Sequence, residues 1–228
     1  MEVCMSKVAI LIDGGFYRRM AVNVWGEKTP QERARELIDY CYRHMEHIQR
    51  YDLDASLYRI FYYDCPPYAG NVYHPLLKKD IRLEKTLLFK WMDTFLKELT
   101  KQRKLALRLG TLSSSFIHYD INQKPLKRLL RGEMTVDDLN DSDFDLSIVQ
   151  KGVDMKIGID ISSLAYKKQV DTIVLISNDS DFVPASKLAR REVIDFILDP
   201  MWNHVKPDLF EHIDGLYSCF SRHSSDRR

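Results

Sequence analysis

Hydrophobic positions along this chain fall into two patterns. Short apolar runs rich in β-branched residues occur at Val8-Ala9-Ile10-Leu11-Ile12 and Thr172 to Ile176, and Leu105 to Leu109 and Val193 to Leu198 are similar runs each broken by one charged residue. Such runs predict strands covered on both faces. Leu57 to Tyr63 is aromatic and β-prone, and it stops at Asp64-Cys65-Pro66-Pro67. Apolar residues at steps of three and four predict helices over Pro30 to Gln49, Leu76 to Lys101, about Asp154 to Lys168, and Phe182 to Arg191. In the second of these the stripe is Leu83, Leu87, Leu88, Trp91, Phe95 and Leu99. Gly14 and Gly15 predict a tight turn after the first run, and Pro207 to Tyr217 a last short helix. Strand and helix alternate, so the expected fold class is α/β with a central, mostly parallel sheet flanked by helices.

The segment from Leu112 to Gln150 breaks this regularity. A basic stretch (Lys124, Lys127, Arg128, Arg131) is followed by an acidic one (Asp137, Asp138, Asp141, Asp143, Asp145). An irregular insertion of short strands or loops is expected at about 112–150, with the basic stretch a candidate for phosphate contact. Ser221 to Arg228 is polar and expected to fray. No composition break divides the chain, so 1–228 is expected to be a single domain.

Composition narrows the function classes. With 34 basic and 33 acidic residues the net charge is +1. Any surface that attracts a polyanion must therefore be local. Four cysteines without a C-x-x-C pair suit a reducing, cytoplasmic setting. No run approaches the roughly 20 apolar residues of a membrane span, and Val8 to Ile12 is too short for a signal peptide's apolar core. Neither a phosphate-binding nor a dinucleotide-binding glycine loop is present, and there is no nucleophile elbow. His44 and His47 lack partners at zinc-ligand spacing. A homodimer remains open.

The candidate chemistry lies in aspartates on three separate segments. Asp13 follows the first apolar run, Asp154 closes Lys151-Gly152-Val153-Asp154, and Asp179 and Asp181 follow Thr172 to Ile176. A carboxylate just past a buried strand lies at the sheet edge where open α/β folds gather ligand chemistry. Several carboxylates at one edge repel each other unless a cation stands between them. Mg²⁺ and Mn²⁺ suit such ligands. Asp160, six residues after Asp154, falls about 240° around a helix from it, so it is either a ligand or a supporting acceptor. Asp-Ser-Asp-Phe occurs twice, at 141–144 and 179–182, but only the second copy follows a strand that would mount it rigidly. Lys151 and Arg18 are candidate phosphate contacts, with Ser177 and Asn178 candidate substrate contacts beside them. Tyr62 and Tyr63 are candidates for stacking on bases.

These residues also resemble a known family. Ile12-Asp13-Gly14-Gly15-Phe16, Lys151-Gly152-Val153-Asp154 with Asp160, and Ser177-Asn178-Asp179-Ser180-Asp181-Phe182-Val183-Pro184 look like the three motifs of the NYN domain. That family, also described as LabA-like, belongs to the PIN-like nuclease superfamily. The resemblance implies a Rossmann-like fold, acidic ligands for Mg²⁺ or Mn²⁺, and RNA as substrate. It places Asp13, Asp154 and Asp179 on the family's core acids, with Asp181 beside them and Asp160 on the acid that often closes the second motif. Two positions depart from the pattern: Asn178 stands where Gly is common, and Phe16 where PIN-like relatives often carry Asn. The expected function is a Mg- or Mn-dependent endoribonuclease acting on single-stranded or structured RNA. The alternative is a non-catalytic RNA-binding module of the same fold. A phosphatase is disfavoured, because the Asp-x-Asp pair of such enzymes follows the first strand, where this chain has Asp13-Gly14-Gly15.

Overall fold

A strand buried on both faces reads as an unbroken apolar run, and parity along it decides which layer each side chain joins. The computed structural model describes residues 5–219, with residues 114–116 described by backbone alone. Strand β1 (Lys7–Asp13) leads directly into helix α1 (Gly14–Trp25), then α2 (Pro30–Ile48) and β2 (Ser56–Asp64). A small hairpin of β3 (Asn71–His74) and β4 (Lys79–Arg82) precedes α3 (Leu87–Thr100) and β5 (Leu105–Leu109). Next come β6 (Thr111–Ile121), α4 (Gln123–Leu130) and β7 (Phe144–Lys151). The chain continues through α5 (Val153–Tyr166), β8 (Thr172–Ile176), α6 (Val183–Arg191), β9 (Asp195–Asp199), α7 (Pro207–Phe210) and β10 (Gly215–Leu216).

Six strands pair in the order β10-β9-β8-β1-β2-β5, every neighbour parallel. Val8, Ile10 and Ile12 of β1 pack with α1, α2 and α3 on one face. Ala9 and Leu11 pack with α5 and α6 on the other. Each such buried aliphatic side chain contributes about 1.5–3 kcal/mol. From β1 the sheet grows outward through β2 and β5 on one side and through β8, β9 and β10 on the other. The connections therefore part at the carboxyl ends of β1 and β8, the kind of switch point where such sheets open a crevice. The expected α/β fold with a parallel central sheet is what the chain adopts.

Several expectations are corrected. Gly14 and Gly15 form the first turn of α1 and not a loop, because Asp13 caps the helix by accepting a hydrogen bond from Phe16 N. The predicted helix from Leu76 begins only at Leu87: Thr86 Oγ1 accepts from Phe89 N as its cap, and the preceding residues form the β3–β4 hairpin. As a result Leu87 and Leu88 stand exposed, while Met92, Phe95, Leu96 and Leu99 fill the core. The predicted helix from Pro207 ends at Phe210, and Gly215–Leu216 adds a short strand beside β9. The 112–150 segment is regular: β6 and β7 form an antiparallel ribbon whose far end carries α4. The expected fraying of Ser221 to Arg228 lies outside the described residues. Among the described residues no helix is long and apolar enough to cross a membrane.

Candidate functional site

Four neighbouring elements bring carboxylates to one end of the sheet. Asp13 is the last residue of β1, Asp64 the last of β2, and Asp199 the last of β9, while Asp179 follows β8 by three residues. Asp154 joins them from the first turn of α5, which β7 delivers through Gly152 with its left-handed φ of 80°.

The acids divide into those that structure consumes and those it leaves available. Asp64 is buried and bidentate with Arg18, at 3.0 Å to both Nε and Nη2; it also accepts from Tyr62 Oη and Cys65 N. Asp199, fully buried, accepts from Tyr40 Oη, Met201 N and Ser218 Oγ and stands 2.8 Å from His44 Nε2. Both serve architecture. By contrast, among the described residues Asp13, Asp154, Asp179 and Asp181 have no lysine or arginine within ion-pairing distance.

Asp13 Oδ1 accepts from Phe16 N at 3.0 Å, and Ser177 Oγ reaches Oδ2 at 3.5 Å. Asp179 N donates to the same Ser177 Oγ at 3.4 Å, and Asp179 Oδ1 accepts from Asp181 N at 3.0 Å. A buried serine thus ties the first acid to the third motif. Burial pushes the Asp13 carboxyl above its ordinary value; the Phe16 amide opposes this, and the negative charges of Asp154 and Asp64 add to it. Arg19, exposed on α1, pulls it back slightly. Partial desolvation raises Asp154, although its side chain is exposed, with the charges of Asp179 and Asp181 next in importance. The charge of Asp154 thus acts on Asp13, and the charges of Asp179 and Asp181 act on Asp154.

The remaining candidates fall elsewhere. Asp160 accepts from Tyr63 Oη at 2.8 Å and Arg108 Nε at 3.1 Å, the supporting acceptor of the two alternatives. Arg18, expected to reach a phosphate, is committed to Asp64. Ser177 is fully buried, and Asn178 Nδ2 donates to His204 O at 3.0 Å. Lys151 is exposed at the end of β7, three residues before Asp154. Tyr62 and Tyr63 are completely buried and offer no face to a base. The first Asp-Ser-Asp copy sits on the ribbon: Asn140 caps its turn, Asp143 accepts from Asn140 N, and Asp141 stands 3.0 Å from His74 Nε2. Asp64 was the missed residue. Its signal was visible, because it ends a β-prone run just as Asp13 does, yet its pairing with Arg18, 46 residues away, is a tertiary fact.

The donor set is all carboxylate oxygen, which suits a hard divalent cation. Among the described residues no three His, Cys, Asp or Glu side chains converge closely enough to hold an ion by themselves. Asp13, Asp154, Asp179 and Asp181 would therefore have to hold such an ion partly through its own waters.

A parallel sheet between helices with acids at its carboxyl edge defines a Rossmann-like α/β class. Within that class, residues 90–201 match the NYN domain, a family of the PIN-like superfamily, as the motifs led one to expect. The matched span contains Asp154, Asp160, Asp179 and Asp181, while Asp13 precedes it. No curated protein matches the chain. Among solved structures, a protein of unknown function from Vibrio parahaemolyticus RIMD 2210633 has the same fold. Its TM-score is 0.50 and its identity 11%, over 97% of this chain and 98% of that one.

Proposed function

We propose that the chain is a single NYN domain with a ribbon insertion, and that it hydrolyses RNA phosphodiester bonds with Mg²⁺ or Mn²⁺. One observation carries this reading: Asp13, Asp154, Asp179 and Asp181, from three separate elements, lie at one sheet edge, and among the described residues none of them is in an ion pair. The match to a family of PIN-like nuclease fold supports it. Three unpaired, buried cysteines, Cys41, Cys65 and Cys219, support a reducing compartment such as the cytoplasm.

In this mechanism the four aspartates would hold the cation, which when bound supplies Lewis-acid polarisation of the phosphate and a more acidic water. The chain's own part is placement. The Phe16 amide and the Ser177 hydroxyl fix Asp13; the same hydroxyl and the turn after β8 fix Asp179. One carboxylate of the set takes the proton of the attacking water, a role that Asp154, exposed at the edge, is placed to fill. The water oxygen bonds to phosphorus, the P–O bond to the leaving ribose oxygen breaks, and that oxygen takes a proton from solvent. Arg19 and Lys151 flank the acids and offset charge on the phosphate.

A second reading, RNA binding without cleavage, is favoured by the looseness of the acid set. Labelled single-stranded RNA and DNA, incubated with Mg²⁺, Mn²⁺ or excess chelator, separate the two. The nuclease reading requires RNA cleavage that stops with chelator. Binding without cleavage in either metal would establish the second reading, and cleavage surviving chelator would sink the metal mechanism.

A further inference from the structure

The ribbon insertion has a job of its own. Lys124, Lys127 and Arg128 of α4 and Arg131, which caps its C-terminus in a helical conformation, are spaced i, i+3, i+4 and i+7, which puts them within an arc of about 100° on the helix. All four are exposed. Among the described residues neither Lys124 nor Lys127 has an ion-pair partner, and Arg131 stands 3.7 Å from exposed Glu133. Acids of the return segment stand at one end of this face: Asp143 lines a cleft with Lys124 and Arg128, and Asp138 feels the charge of Arg128. Asp141 faces His74 instead, and Lys127 and Arg131 do not line that cleft.

The helix is also placed with respect to the acids. β6 and β7 pair from Thr111↔Lys151 at the root to Ile121↔Phe144 beside α4. The root continues through Gly152 into α5 and Asp154. Leu112, Leu146 and Ile148 of the ribbon line a cavity of about 150 Å³ together with Phe89 and Met92 of α3, and Tyr119 and Phe144 meet the ring of His74 on β3, so the ribbon is held against the body along its length. The eight residues of β7, at about 3.4 Å each, hold α4 up to roughly 25 Å from the acid edge. A partner that touches both ends needs regularly spaced negative charge on a stiff frame. A single strand would be ordered over that span at high entropic cost, whereas a double-stranded stem of about one helical turn is already that long and rigid.

We propose that the basic face of α4 grips the phosphate backbone of an RNA stem and holds it against the acid edge. This rests on the nuclease reading for what happens at the acids, but the grip stands apart from it. Leu130 and Val136 are exposed nearby, and an apolar protein contact at the arm is the competing use of this region.

The test is the variant Lys124→Glu/Lys127→Glu/Arg128→Glu, whose substitutions keep helix-forming residues at exposed positions. Binding to a hairpin RNA of about 20 base pairs is compared with cleavage of a single strand of about three nucleotides, across a salt series. Hairpin affinity is expected to fall at least about tenfold, and the slope of log affinity against log salt to shrink by about 2–3. Cleavage of the short strand, which is too short to reach the arm, is expected to stay unchanged. Unchanged hairpin affinity, equal loss on the short strand, or an altered oligomeric state in place of the affinity change would overturn the grip. If neither RNA is cleaved while the hairpin difference persists, the nuclease reading fails and the grip stands.

Discussion

Asp64 and Asp154 lie at the same sheet edge and do opposite work. Asp64 is buried and spends both oxygens on Arg18, Tyr62 and the Cys65 amide. Asp154 is exposed, and among the described residues its side chain makes no hydrogen bond. The account therefore predicts that Asp64→Asn costs about 2–3 kcal/mol of stability, since it leaves a partly buried guanidinium without its charged partner. Asp154→Asn is predicted to leave the metal-free protein as stable as wild type or slightly more so, because it removes repulsion with Asp179 and Asp181. Urea unfolding of both variants in chelator checks the pair; the reverse ranking would show that Asp154 is structural and the acid edge misassigned. At this scale the sequence was legible where an acid directly follows an apolar run, as with Asp13 and Asp179. It was illegible where a distant partner decides, as with Arg18, Ser177, Asp160 and the two buried tyrosines.

Among the elements, the strands and α2, α5 and α6 were readable because both-face burial and helical periodicity leave strong local patterns. What escaped were the places where a cap or a turn overrides periodicity. The apolar stripe from Leu83 to Leu99 continues smoothly, yet Thr86 caps a helix near its start, and before it come a 3₁₀ turn (Leu83–Lys85) and the hairpin. The ribbon escaped because its strands, lying on a half-exposed arm, carry too many polar residues to stand out. Gly14 shows how closely α1 is set on the sheet: a Cβ there would lie 2.5 Å from the Tyr62 ring and 2.6 Å from Asp64 Oδ2. Gly14→Ala is expected to destabilise the protein by about 1–3 kcal/mol, the cost of overpacking. It should also weaken activity, since α1 supplies the amide that holds Asp13. A melt indistinguishable from wild type would mean that α1 does not press on β2 as described.

For the molecule as a whole, a parallel sheet fixes the acids while a ribbon packed on α3 and β3 carries α4. The chain supplies an internal control for this division, because Asp-Ser-Asp-Phe occurs once on each part. The copy after β8 shares Ser177 with Asp13 and sits beside Asp154; the copy on the arm is occupied with capping its own turn and with His74. The most direct measurement is the RNA cleavage rate in Mn²⁺ of Asp179→Asn against Asp141→Asn/Asp143→Asn, with thermal melts alongside. Asparagine retains the acceptor that caps the turn after β8, so both proteins should fold. The account predicts a loss of at least about 100-fold for Asp179→Asn, with a smaller Mn²⁺-induced rise in melting temperature than wild type. It predicts a rate within a few-fold of wild type for the arm pair. An Asp179→Asn protein that cleaves at nearly the wild-type rate, or an arm pair that loses as much, would contradict the assignment of the acid edge as the catalytic centre.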